Sequence, residues 1–214
     1  MDSAVSLVQA YLRVNGYFTV TEYPVVEAMG RAPGYQEATD LDVLAIRFPG
    51  AARRIPGESR SRADRHPAFE PDPRIVADAS APDMVIGEVK QGTAELNPSA
   101  RRKEVLAAAL ARFGCCPLDE ASDAVETLVR EGSAMTPDGH RVRLVAFGSS
   151  VSQGGATAYD QISLGHVLEY LRRYIHDHWP VLRHAHFKDP VFAFLVLEEK
   201  VRKSGRASGA GDAG

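Results

Sequence analysis

Residues 83-91, DMVIGEVKQ, run through Met84, Val85, Ile86 and Gly87 without a polar side chain and then end in Glu88, Lys90 and Gln91. A continuous apolar run cannot turn one face to water, so a strand of this kind must be covered on both sides by other layers of the fold. That requirement points to an interior strand of a layered α/β protein. Its polar end then marks the rim of the sheet. Glu88 and Lys90 are two residues apart, so they share one face of the strand, with Val89 buried opposite.

The flanking sequence supplies the other layers. Val5, Leu7, Val8, Tyr11 and Leu12 recur at helical spacing and stop at Asn15-Gly16, which predicts an amphipathic helix over 3-15. Tyr17 to Tyr23 is aromatic and β-branched and reads as a strand ending at Pro24, followed by loop or a distorted hairpin over 24-38. The segment 39-48, TDLDVLAIRF, alternates so that Asp40, Asp42 and Leu44 share one face and Leu41, Val43 and Ala45 the other. Residues 49-82 are proline-rich, carry Arg53, Arg54, Arg60, Arg62, Arg65 and Arg74, and read as a long loop.

Beyond the 83-91 strand, Asn97-Pro98 caps a helix that continues to Gly114, and a second helix covers 119-131. Pro137-Asp138-Gly139 is a turn before the strand 141-147. A Gly/Ser-rich loop then runs to Ala158. Helices follow over 162-178 and from Asp189-Pro190. The order is helix, three strands, helices, strand, helices. Short early links favour antiparallel pairing and the helical crossover favours a parallel fourth strand, so the expectation is a mixed sheet between helices.

The chain has 214 residues, 44% of them hydrophobic, which fits a single domain over 1-203 with a disordered tail at 204-214. The net charge of -3 provides no global field for attracting nucleic acid, so a nucleic-acid surface must be a local patch. The two cysteines, Cys115 and Cys116, are adjacent; a disulfide between them would be strained, and a reducing cytoplasm fits best. No run of about 18 apolar residues is present and the first 15 residues lack a signal-peptide pattern, so neither membrane spanning nor export is expected.

Two carboxylates at strand ends, Asp42 and Glu88, offer hard oxygen ligands suited to Mg²⁺, which commonly binds through one or two carboxylates plus waters and phosphate. A lysine beside them can orient or help deprotonate an attacking water. The bland alternative is an ion pair between Glu88 and Lys90, worth about 0-1 kcal/mol if exposed.

With acids on one alternating strand, E-x-K at the end of the next and a capped helix directly afterwards, LDVLA at 41-45 and VIGEVKQG at 85-92 resemble the PD-(D/E)XK nuclease superfamily across roughly residues 3-148. The resemblance implies a restriction-endonuclease-like α/β/α sandwich with core order αβββαβ, here extended by C-terminal helices. It also implies that Asp42 and Glu88 bind Mg²⁺ or Mn²⁺, that Lys90 assists the water, and that the substrate is DNA, with RNA left open. Gln91 matches the residue trailing the family's E-x-K. Asp40, Glu22 and Glu27 are reserve ligands. Many members carry a glutamate in the first helix, whereas this helix has only Asp2 near its start and Gln9 within. A noncatalytic nuclease-fold module that binds nucleic acid or serves assembly is the alternative. A homodimer, or a partner protein supplying target choice, is left open.

Other features carry less. Arg101, Arg102 and Lys103 open the helix after the E-x-K strand and are candidates for phosphate contacts, with a solvated helix face as the equal alternative. His176, His178, His184 and His186 form two H-x-H pairs without a nearby cysteine, which favours surface or phosphate contacts over zinc. The glycine-rich GSSVSQGG at 148-155 lacks a P-loop lysine.

Overall fold

The computed structural model describes residues 2-30, 33-58, 68-117, 120-152 and 157-209, with side chains described through Gly205. Helix α1, Ser3–Val14, starts where the Asp2 carboxylate accepts from the Ala4 N–H at 2.7 Å and ends at Asn15-Gly16, with Gly16 at φ 89°. Strands β1, Phe18–Ala28, and β2, Tyr35–Arg47, form an antiparallel hairpin. The segment expected as loop or distorted hairpin over 24-38 is thus mostly paired strand, with a bulge between Val25 and Val26. Pro24 is tolerated there because β1 is the sheet's edge, where a missing N–H need not break a ladder.

Strand β3, Asp83–Thr93, is antiparallel to β2. Its pairing with β2 extends from Arg47↔Asp83 to Val43↔Gly87. The crossover consists of a 3₁₀ turn, Pro98–Arg101, then α2, Lys103–Phe113, and α3, Ala121–Glu131, closed by Gly114 and Gly132 in left-handed conformations. One continuous helix from 98 to 114 was the expectation; Arg102 is extended, at φ -64° and ψ 140°, and divides it.

Strand β5, Arg141–Ser150, returns parallel to β3, from Asp83↔Arg141 to Lys90↔Gly148 and on to Thr93↔Ser150. Two short strands share its far side: β4, Ser133–Met135, antiparallel, and β6, Asp160–Ser163, parallel. Neither has the length to show a period. Helix α4, Leu164–Asp177, begins where Ser163 Oγ accepts from the His166 N–H. A single turn, α5, Trp179–Leu182, precedes α6, Pro190–Gly209. Because α6 runs to Gly209, residues 204-209 of the expected tail continue a helix; 210-214 lie outside the described residues, as do Arg60, Arg62 and Arg65.

The result is a mixed α/β architecture with a six-stranded open sheet in the order β1-β2-β3-β5-β4, β6 also pairing β5. A core of Val43, Val85, Val89 and Phe147 packs one face against α1, α4 and α6, and Met84, Ile86 and Leu144 pack the other against α2 and α3. This double cover explains the apolar run in β3. The alternation expected for β2 needs one correction. Leu41 packs with Leu44 in the second core while Val43 and Ala45 lie in the first, so the period breaks around Asp42.

Buried polar groups tie the long β2–β3 connection down. Asp72, 3% exposed, accepts from Tyr11 Oη at 2.8 Å and meets His166 Nε2 at 2.6 Å, while its N–H donates to Asn15 Oδ1. Arg47, 1% exposed, donates to the carbonyls of Asn15 and Ala51. Asp83 receives both Nε and Nη2 of Arg143, at 2.9 and 2.6 Å, and also the Tyr17 hydroxyl. Cys115 and Cys116 are free and buried, and burial pushes the Cys115 thiol up to about 12, with Cys116 adding to the shift.

Candidate active site at the parting of β2 and β3

One residue past the Val43↔Gly87 pair, Asp42 on β2 faces the position of Glu88 on β3. The ladder gives way there to a side-chain bond: Asp42 Oδ2 accepts from the Val89 N–H at 2.7 Å. A carboxylate thus replaces a strand carbonyl, and it lies beside the residue between Glu88 and Lys90. Lys90 Nζ donates to Glu88 Oε1 at 2.6 Å. The pair is asymmetric in its surroundings, because the Glu88 side chain is 4% exposed and that of Lys90 42%. Glu88 Oε2 is buried with no hydrogen-bond partner. A buried carboxylate oxygen without a donor is costly, so this atom is either a reservoir of strain or a place for a cation.

The electrostatics agree with the geometry. Burial lifts Glu88 above its ordinary value, against the opposing pull of Lys90, and the neighbouring Asp42 charge adds to the rise. Burial lifts Asp42 likewise, against the Val89 N–H and Lys90, with Asp2 and Asp40 pushing in the same direction as burial. Asp2 caps α1 and accepts from Gln91 Nε2 at 3.1 Å, which draws the first helix to the end of β3. Lys90 is thus bonded to Glu88, and its charge opposes the rise of both Glu88 and Asp42.

These shifts have a sign for stability. A carboxyl whose folded pKa is raised contributes stability that is present below its ordinary value, 3.8 for Asp42 and 4.5 for Glu88, and lost as pH rises through the folded value. Glu88→Gln is therefore expected to be more stable than the unaltered chain at neutral pH in chelator, with the gap closing as pH falls below 4.5. Urea unfolding at the two pH values measures this. A Gln variant no more stable at neutral pH would mean that Lys90 compensates the buried charge fully.

The remaining candidate residues divide. Asp40 is exposed and acts on Asp42 through charge. Glu22 lies between Thr21 and Tyr23, which pair with Val43 and Leu41 on either side of Asp42, and has a left-handed backbone, φ 52°. Glu27 is drawn away from the site to Arg102, at 2.6 Å, and to Gln36. At the other end of β3, away from these candidates, Asp83 is taken up by Arg143. The three basic residues after the E-x-K strand all have partners within the chain. Arg101 Nη2 donates to the Val129 carbonyl, Arg102 pairs with Glu27, and Lys103 pairs with Glu126 at 2.7 Å. The four histidines separate: His176 meets Glu199, His178 stacks on Phe69 at 4.1 Å, and His184 and His186 line a pocket described below.

Two contributions were not foreseen. The Val89 N–H that anchors Asp42 is backbone and leaves no trace in side-chain spacing. Gly148 sits opposite Lys90, and a Cβ there would lie 2.4 Å from the Ala94 nitrogen, so only glycine lets the chain after β3 fold over β5. Among the described residues, no group of three or more His, Cys, Asp or Glu side chains is disposed to hold a metal ion. No helix among them is long and apolar enough to cross a membrane. No family model matches the chain, and no match emerges from comparison with curated proteins or with solved structures.

Proposed function

We propose that the chain is a metal-dependent nuclease of the restriction-endonuclease-like type, hydrolysing DNA phosphodiester bonds at Asp42, Glu88 and Lys90. The observation that carries this reading is the unpartnered, buried Glu88 Oε2 beside a solvent-reaching Lys90, one register step from the anchored Asp42 carboxylate. The order α1, β1–β3 meander, crossover helices and a fifth strand parallel to β3 supports it, being compatible with the αβββαβ core the resemblance implies.

The donor set fits a hard divalent cation held by two carboxylates and completed by water and substrate phosphate, a mode that needs no third protein ligand. When bound, Mg²⁺ or Mn²⁺ supplies Lewis-acid charge to the phosphodiester and lowers the pKa of a water. The chain's own part follows from its geometry. The Val89 N–H fixes Asp42. Glu88 holds Lys90 by one oxygen and leaves the other for the cation. Lys90 Nζ, half in solvent, can hold the attacking water or neutralise charge building on a phosphate oxygen.

Incubating supercoiled, linear and single-stranded DNA, and RNA, with Mg²⁺ or Mn²⁺, with and without chelator, tests the proposal. Metal-dependent cutting of DNA is expected. No cutting of any nucleic acid under either metal would favour the noncatalytic nuclease-fold module.

A further inference from the structure

A net charge of -3 means that unneutralised cations gathered in one place are an exception needing a reason. The arginine and lysine side chains after the E-x-K strand are not such a place, since Arg102 and Lys103 pair with Glu27 and Glu126, leaving only Arg101, which is bound to the Val129 carbonyl. The C-terminal helices are. Between α5, the turn after it and α6 lies a pocket of about 720 Å³ lined by Arg183, His184, His186, Lys188, Lys200 and Lys203, and among the described residues no acid lines it. Only Lys203 is shared with a carboxylate, Glu199 Oε1 at 3.3 Å; Lys188 and Lys200 have none within ion-pair distance among the described residues.

The pocket is also aromatic. Trp179 and Phe187 are half-buried in its wall, and Lys203 Nζ lies 6.0 Å from the Trp179 ring centre. Cations beside an indole suit a ligand that joins a phosphate to a flat ring. The volume falls within the range that holds small ligands.

We propose that this pocket is a nucleotide-binding site that seats one base of a single-stranded nucleic acid against Trp179, with its phosphates among Arg183, Lys188, Lys200 and Lys203. The choice of a strand over a free nucleotide rests on the nuclease reading; the phosphate-and-ring chemistry does not. Helix α1 runs between the neighbourhoods of the two sites. Asp2, at one end, lies with Gln91 by the acid cluster, and Arg13, at the other, meets Asp189 at 3.3 Å, next to Lys188. Eleven residue steps lead from Asp2 to Arg13, about 16 Å at the α-helical rise.

Trp179 is the chain's one tryptophan, so its fluorescence reports this pocket alone. The full chain, held in chelator so that nothing is cut, is titrated with an oligothymidylate of about 12 nucleotides and separately with thymidine monophosphate. The strand is expected to quench the emission, more weakly as salt rises. A Lys188→Ala/Lys200→Ala double variant should bind about tenfold or more weaker, with a salt slope lower by about 1 to 2. Asp42→Asn should leave quenching unchanged. Quenching by the mononucleotide and not by the strand overturns the proposal in favour of a free nucleotide, and no response to either overturns it outright. Emission that changes with protein concentration alone would seat a second copy on the pocket, next to the exposed Phe194, Leu197 and Val201, and would also overturn it. DNA cut without quenching sinks this site and spares the nuclease; quenching without cutting does the reverse.

Discussion

Lys90→Ala is expected to keep Mn²⁺ and DNA binding while losing DNA cleavage by a factor of about 10² or more, the scale of a positioned catalytic group. Asp42→Ala and Glu88→Ala should lose cleavage and metal binding together. The difference follows from position. Asp42 and Glu88 present oxygens at the parting of β2 and β3, and Lys90 is attached to the site through Glu88 Oε1. Removing the ammonium takes nothing from the Oε2 side of Glu88, which is where a cation would be held. Calorimetric Mn²⁺ titration and a cleavage time course on the same preparations read the two properties separately, with circular dichroism showing that each variant is folded. Wild-type rates from Lys90→Ala would make the lysine a structural partner of Glu88 and end the mechanism proposed above.

The other large effect lies at the opposite end of β3. Asp83→Ala is expected to cost about 3-5 kcal/mol of unfolding free energy, because it strands the Arg143 guanidinium, 3% exposed, among groups that cannot neutralise it. Asp160, the second carboxylate on Arg143, is 54% exposed and too well solvated to take over. Burial alone would lower the Arg143 pKa, and Asp83 with Tyr17 more than reverses this, so the guanidinium stays charged. The double variant Asp83→Leu/Arg143→Met should recover much of the loss, since it removes both charges and refills the space. Urea denaturation of the three proteins measures the cycle. A single-variant cost below about 1 kcal/mol would show that water reaches Arg143 once Asp83 is gone.

The candidate site was legible as a place in the fold because it combines two strong local signals. The apolar run of β3 demands double cover, and the spacing of Glu88 and Lys90 fixes them to one face. Asp42 was legible by strand parity, although the parity itself fails one residue away, where Leu41 turns to the opposite core from Val43. What escaped depends on distance along the chain. Arg102 looks like a free cation until β1 brings Glu27 to it from 75 positions earlier. Lys103 looks the same until α3 supplies Glu126. The strands β4 and β6 have three and four residues, below any period, and form because β5 offers them an edge. The aromatic, basic pocket needs a turn and a helix to meet, and the H-x-H spacing near Trp179 was its only trace.

Helix α1 runs from Asp2, bonded to Gln91 at the end of β3, to Arg13, bonded to Asp189 next to Lys188, and its length then acts as a ruler. About 16 Å of helix corresponds to about five steps of a stacked strand at 3.4 Å per nucleotide. A strand anchored by one base at Trp179 and running stacked alongside the helix would therefore present its scissile phosphate about five nucleotides away. Cutting would be measured from the held base instead of being chosen by sequence, and fragments shorter than the ruler would leave without being trimmed further.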